Sequence, residues 1–167
     1  MTTPSETPHA SPQTSPAGFD LTPPTAEQRR TLEARLSGEE RRVLLSHGTE
    51  APHCGTLLHN KTPGTYCCQL CGLPLFQAGT KFESGTGWPS FTAPFDTAHV
   101  KLLQDNSYGM VRVETLCARC GSHQGHVFPD GPPPTGVRFC INSVALRFEP
   151  EGAALARSVQ DYIDSIG

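Results

Sequence analysis

The chain carries little that would bind a polyanion or cross a bilayer. Its 167 residues hold 13 Lys and Arg against 16 Asp and Glu, a formal net charge of −3, and the cations are not gathered into a block. Counterion release needs clustered cations, so no nucleic-acid partner is expected. No apolar run approaches the ~20 residues that span a bilayer, so no membrane partner is expected either. The opening stretch, MTTPSETPHASPQTSPAGF, contains neither lysine nor arginine and no apolar core. A secretory leader needs a basic start and an apolar run, and a transit peptide needs arginine, so a cytoplasmic location is expected. No long exposed apolar stripe is evident, which points to a monomer.

Glycine and proline are plentiful, at 16 each, and favour turns and short strands over long helices. The length suits one domain. Residues 1–23 repeat Pro, Ser and Thr and bury too little surface to offset ordering entropy, so a disordered tail is expected there. The folded domain is expected over 24–150. Residues 151–167 form a C-terminal tail of helical composition. Thr25-Ala-Glu-Gln28 and Ser37-Gly-Glu-Glu40 each match a capping box and predict two N-terminal helices. Leu32 and Leu36 would share a face of the first, Val43 and Leu44 would point inward from the second, and Gly48 is its expected stop. From Tyr66 to Phe148 short β-rich runs (VKLLQ, GMVRVETLC, GHVF, VRFCINSVALRF) alternate with Gly/Pro punctuation. The fold class is therefore mainly β: a small antiparallel sheet domain with N-terminal helices and a pair of zinc knuckles.

Seven cysteines are an odd number, so a pure disulfide framework leaves a thiol over. Four fall in Cys68-Gln-Leu-Cys71-Gly72 and Cys117-Ala-Arg-Cys120-Gly121. Two such knuckles can bring four thiolates to one tetrahedral ion, and the glycines permit the tight turns. Soft ligands in a closed set argue for a structural Zn2+. A redox pair of the thioredoxin kind wants one Cys-x-x-Cys in a βαβ setting, which is lacking. Cys67 adjoins Cys68 and stands as a substitute ligand.

Cys140, in Val137–Ser143, has no such partner. In a strand Arg138, Cys140 and Asn142 share a face, and Val144, Leu146 and Phe148 would continue the row. A fixed cation beside a thiol lowers its pKa, and the thiolate is the nucleophile. A lone cysteine is also commonly a small buried hydrophobe. The run His123-Gln-Gly-His126-Val-Phe-Pro-Asp130 favours chemistry, because two histidines and an aspartate near a cysteine are the parts of an acid/base site. A second metal site on His-x-x-His is the competing reading. Trp88, the chain's only tryptophan, sits in the Gly/Pro-rich loop Ser84–Phe91, where an indole can wall a pocket.

These segments resemble the methionine sulfoxide reductase B family. The likeness is carried by GTEAP (48–52), YCCQLCGLPLF (66–76), KFESGTGWPSF (81–91), SYGMVRVE (107–114), CARCGSHQGHVFPDGPPPTG (117–136) and RFCINS (138–143), and spans roughly residues 25–148. The resemblance implies a thiol enzyme that reduces the R epimer of methionine sulfoxide in proteins. It implies Cys140 as the catalytic cysteine, with His123, His126, Asp130, Arg138 and Asn142 at active-site positions, Trp88 against the substrate methyl group, and a structural zinc on Cys68, Cys71, Cys117 and Cys120 far from the chemistry. It further implies a Cys140 sulfenic acid, a disulfide with a second thiol, and thioredoxin as the reductant. Many relatives carry that second thiol in the Gly-x-Gly-Trp loop, where this chain has Thr86. Cys54 is the expected replacement, ahead of Cys67 and of an external thiol.

Overall fold

The computed structural model describes residues 13–166. Both capping boxes form. Helix α1 (Ala26–Glu33) is capped by Thr25 and Gln28, and α2 (Gly38–Leu44) by Ser37 and Glu40. Leu32 is buried in α1, whereas Leu36 lies in the turn that follows, its N–H bonded to the Glu33 carbonyl at 3.1 Å. Leu36 is nevertheless buried, as are Val43 and Leu44. A third helix, α3 (Val159–Ile166), occupies the C-terminal tail. No helix among the described residues is long and apolar enough to cross a membrane.

Nine short strands follow α2: β1 (Gly64–Cys68), β2 (Pro74–Gln77), β3 (Lys81–Phe82), β4 (Ser90–Phe91), β5 (Val100–Asp105), β6 (Arg112–Cys117), β7 (His123–Phe128), β8 (Arg138–Ile141) and β9 (Leu146–Pro150). They make two antiparallel sheets, one in the order β2-β1-β9 and one in the order β3-β4-β8-β7-β6-β5. Between them lies an aromatic core in which Phe76 stacks on Phe91 at 4.5 Å between centroids, with Tyr66 and Phe139 against them. The fold is mainly β, as its punctuation predicts.

The run VRFCINSVALRF is two strands rather than one. The buried Glu50 carboxylate accepts the N–H groups of Ser143 (2.8 Å) and Val144 (3.0 Å). With those donors taken, the chain leaves the ladder, makes one 3₁₀ turn at Ser143–Ala145, and enters the other sheet as β9. Val144, Leu146 and Phe148 therefore do not continue the row of Arg138 and Cys140.

Residues 13–23, grouped by composition with a disordered tail, pack onto the domain. Phe19 is buried, edge-on to Phe95 and beneath the Arg157 guanidinium at 4.4 Å. Burying such a ring contributes about 1.5–3 kcal/mol, enough to hold a short polar segment. Ser15 bonds the buried His99 at 2.8 Å. Arg119, itself buried, donates to the carbonyls of Asp20 (2.8 Å), Cys71 (3.1 Å) and Arg157 (3.0 Å). One guanidinium thus ties the N-terminal segment, a knuckle and the C-terminal segment together. Residues 1–12 of the expected tail lie outside the described residues.

Candidate active site and metal centre

The pocket grows from one cross-strand row. Cys140 on β8 faces Ser90 on β4 and His126 on β7, and His126 faces Glu114 on β6. His123 and His126 are three apart and would point to opposite faces of a regular strand. A bulge prevents this: Thr115 pairs Gly125 but Leu116 pairs His123, so Gln124 is an extra residue on β7. Both imidazoles then lie on the Cys140 face, 5.5 Å apart between ring centroids. Gly125 is required because a Cβ there would stand 2.0 Å from the Cys140 carbonyl oxygen.

A cavity of about 200 Å³ opens over this row, lined by Cys140, His126, Arg138, Asn142, Trp88, Thr86, Arg112, Phe128 and Thr49 among others. The Trp88 indole N–H donates to the Glu50 carbonyl at 3.0 Å, which fixes the ring as a wall. Burial pushes the Cys140 thiol above its ordinary value, outweighing the Arg138 charge and the Arg138 and Thr86 hydrogen bonds that pull it down. The lowered thiol pKa expected from the adjacent arginine is therefore not found: the loss of water around the thiol outweighs the cation beside it.

Arg138 is locked in place by a two-pronged pair with Asp130 at 3.0 and 3.2 Å and by the Phe128 ring 4.7 Å beneath it. Asp130 itself is 64% exposed and lies on the solvent side of the arginine. His126 presents Nε2 to Asp105 at 2.7 Å, and this bond holds the aspartate well below the ordinary carboxylate range. Arg112 approaches the same oxygen at 3.4 Å. His123 is 1% exposed, so burial pushes its pKa down, while its Nδ1 meets Glu114 at 2.5 Å. Asn142 is committed at both ends, accepting the Glu50 N–H (2.9 Å) and donating to the Gln124 carbonyl (3.0 Å). Sequence reasoning missed Asp105, Glu114 and Glu50. Two of the three lie in segments quoted for the resemblance, but only strand pairing assigns Glu114 and Asp105 to histidines.

Cys68, Cys71, Cys117 and Cys120 form a separate, fully interior cluster whose ligand atoms all lie within 4.8 Å of one another. Cys68 and Cys120 sulfurs are 3.6 Å apart and those of Cys71 and Cys117 3.5 Å, so neither pair is a disulfide. Burial and the neighbouring sulfurs drive the Cys71 and Cys117 thiols well up, whereas at Cys68 desolvation is outweighed by hydrogen bonds with the other three sulfurs and Ser122, which draw that thiol well down. Gly72, at φ +82°, lets Tyr162 of α3 lie against the knuckle. Cys67 is not in the cluster; it is buried beside Cys68, and desolvation drives its thiol upward. Cys54 is an exposed thiol. Its loop is joined to the Trp88 loop by the His53 N–H on the Gly87 carbonyl at 2.8 Å, and Thr86 of that second loop lines the pocket.

This arrangement has relatives. Residues 36–150 match the SelR domain model. The chain belongs to the SelR-domain family. It is 69% identical over 141 residues to the peptide methionine sulfoxide reductase MsrB of Caulobacter vibrioides, covering 84% of this chain and 89% of that protein. The like-named protein of Xylella fastidiosa is 61% identical over 137 residues (82% and 88%). That of Methanosarcina mazei is 56% identical over 116 residues (70% and 83%). The SelR match runs from Leu36 through Pro150, so it takes in the knuckles and every pocket residue named above.

Proposed function

We propose that the protein is an oxidoreductase that reduces the R epimer of methionine sulfoxide in oxidised proteins, with Cys140 as nucleophile. One observation carries the reading: a partly buried thiol shares a small cavity with an imidazole, a guanidinium and an indole wall. The cavity suits a short, semi-polar side chain. Trp88 and Phe128 meet its apolar part.

The Cys140 thiolate attacks the sulfoxide sulfur. The oxygen gains basicity as the S–O bond polarises and takes a proton, and His126 is the donor nearest the reacting row. Asp105 orients the imidazole through Nε2, as a third group orients the base in other acid/base pairs. Arg138 stabilises the thiolate against the burial that disfavours it, and Asp130 holds the arginine from outside. The protonated oxygen then passes from the substrate sulfur to the Cys140 sulfur as the bond between the two sulfurs breaks, methionine departs, and Cys140 is left as a sulfenic acid. Cys54 then attacks that sulfur, water leaves, and a Cys54–Cys140 disulfide forms. Thioredoxin restores both thiols by exchange, its own pair becoming the disulfide. Cys67 is the weaker second thiol, being buried in the other sheet.

The four clustered cysteines fit zinc. Their closest sulfur pairs, at 3.5 and 3.6 Å, approach the roughly 3.8 Å edge of a tetrahedron with 2.3 Å Zn–S bonds. Zinc there supplies a cross-link between β1 and β6 and takes no part in the reaction.

The test is an epimer-resolved assay on a blocked methionine sulfoxide peptide with thioredoxin. Consumption of the R epimer alone is expected. Fast peroxide removal with no epimer preference would replace this reading with a peroxide-reducing thiol enzyme.

A further inference from the structure

A second group of metal-type ligands lies beside the pocket, away from the four cysteines. His47 Nδ1 and His123 Nδ1 each stand 2.5 Å from the same Glu114 oxygen, and the three ligand atoms lie within 4.8 Å of one another. The residues come from the turn after α2, from β6 and from the bulged end of β7. His123 is there only because Gln124 is an extra residue in its strand.

We propose that His47, Glu114 and His123 form an exchangeable site for a divalent transition-metal ion such as Zn2+. Two imidazoles and a carboxylate are the donor set of open zinc sites, which leave one position for water. Glu114 and His123 are buried, hence fixed in advance. The His47 side chain is 57% exposed and gives the ion its route in, and a crevice of about 460 Å³ lies over the group. A tetrahedral ion at ~2.0–2.1 Å wants its ligands ~3.3 Å apart. The two short N···O contacts must therefore open by under about 1 Å, which an exposed His47 on a turn can supply. The surrounding crevice also holds Arg42 and Arg112. Their charge weakens the site and makes it exchangeable, unlike the buried cysteine cluster. The His123 ring stands 5.5 Å from that of His126, so a bound ion fixes the ring packed against the proton donor and slows turnover. Binding itself does not depend on the proposed reaction; only this effect on rate does.

The test starts from full-length protein carrying its structural zinc, with Cys54→Ser and Cys140→Ser removing the two thiols that would compete for the ion. Calorimetric titration with Zn2+ is expected to fill one further equivalent. Adding His47→Ala should weaken that binding at least about tenfold, while His59→Ala, a change at another exposed histidine, should not. In the chain with both thiols present, added Zn2+ should slow turnover, and His47→Ala should remove the inhibition without altering the basal rate. No further equivalent, or one indifferent to His47→Ala, would mean that the three side chains are a hydrogen-bonded group only. Inhibition that persists in His47→Ala would assign the effect to zinc on Cys140 and overturn the regulatory part.

Discussion

The knuckle cysteines and Cys140 meet the same force and answer it differently. Both environments strip water from sulfur, and in both desolvation raises the thiol pKa. At the knuckles each sulfur packs against other sulfurs, with the Ser122 hydroxyl beside Cys68 and Cys120, a donor set that fits one shared cation. At the pocket the neighbours are a guanidinium and a hydroxyl, which pull against the burial without a metal. On the proposed function, a buried sulfur among sulfurs serves as a cross-link and one beside a fixed cation and an open cavity serves as a reagent. The lesson is that burial does not separate inert from reactive cysteines, and the identity of the nearest partner does.

The largest expected effect lies at the metal end. Cys117→Ser leaves three ligands and should cost much of a metal-binding term on the order of 10 kcal/mol. Zinc content should fall and no cooperative melt should remain at 37 °C; an unchanged melt would contradict a structural metal. Cys140→Ser should do the opposite, leaving melt and zinc intact while turnover falls at least about 10³-fold, as when a covalent nucleophile is lost elsewhere. Phe19→Ala tests the segment the composition misjudged. It should lower stability by about 3 kcal/mol with kcat unchanged, measured by denaturant unfolding.

Smaller effects sharpen the pocket side. Asp105→Asn should lower kcat about ten- to a hundredfold with KM little changed, and should alter the pH profile, because the group acts by orienting His126. An effect on stability alone would reduce Asp105 to scaffolding. Iodoacetamide alkylation of Cys140 should titrate above the ordinary free-thiol value. In Arg138→Ala it should move further alkaline, since the opposing charge is gone while burial remains. A shift toward acid in that variant would contradict the assigned cause.

Much of this was legible in the sequence for physical reasons that can be named. Capping boxes are local chemistry, so Thr25 and Ser37 announced both helices. The Cys-x-x-Cys-Gly spacing is local too, so it picks out the four clustered cysteines, while only the geometry removes Cys67 as a substitute. What escaped depended on contacts across the chain. Asp105 and Glu114 acquire meaning only through antiparallel pairing of β5, β6 and β7. Alternation puts His123 and His126 on opposite faces, and a single bulge residue, which no local signal marks, brings them together. Alternation carries the row from Arg138 past Asn142, but Glu50, about ninety residues earlier in the chain, breaks the strand there. Residues 13–23 fall within the expected disordered tail because composition averages over Phe19, and one buried ring is enough to dock the polar residues around it.

The most direct test mixes reduced, zinc-loaded protein with one equivalent of each sulfoxide epimer of a blocked methionine peptide, without reductant, and maps the cysteines by mass spectrometry. The account predicts a Cys54–Cys140 disulfide with the R epimer, none with the S epimer, and four untouched knuckle cysteines. Oxidation at Cys140 alone would keep the nucleophile and remove Cys54 from its role. A folded protein with no oxidation at Cys140 under either epimer would contradict the central claim.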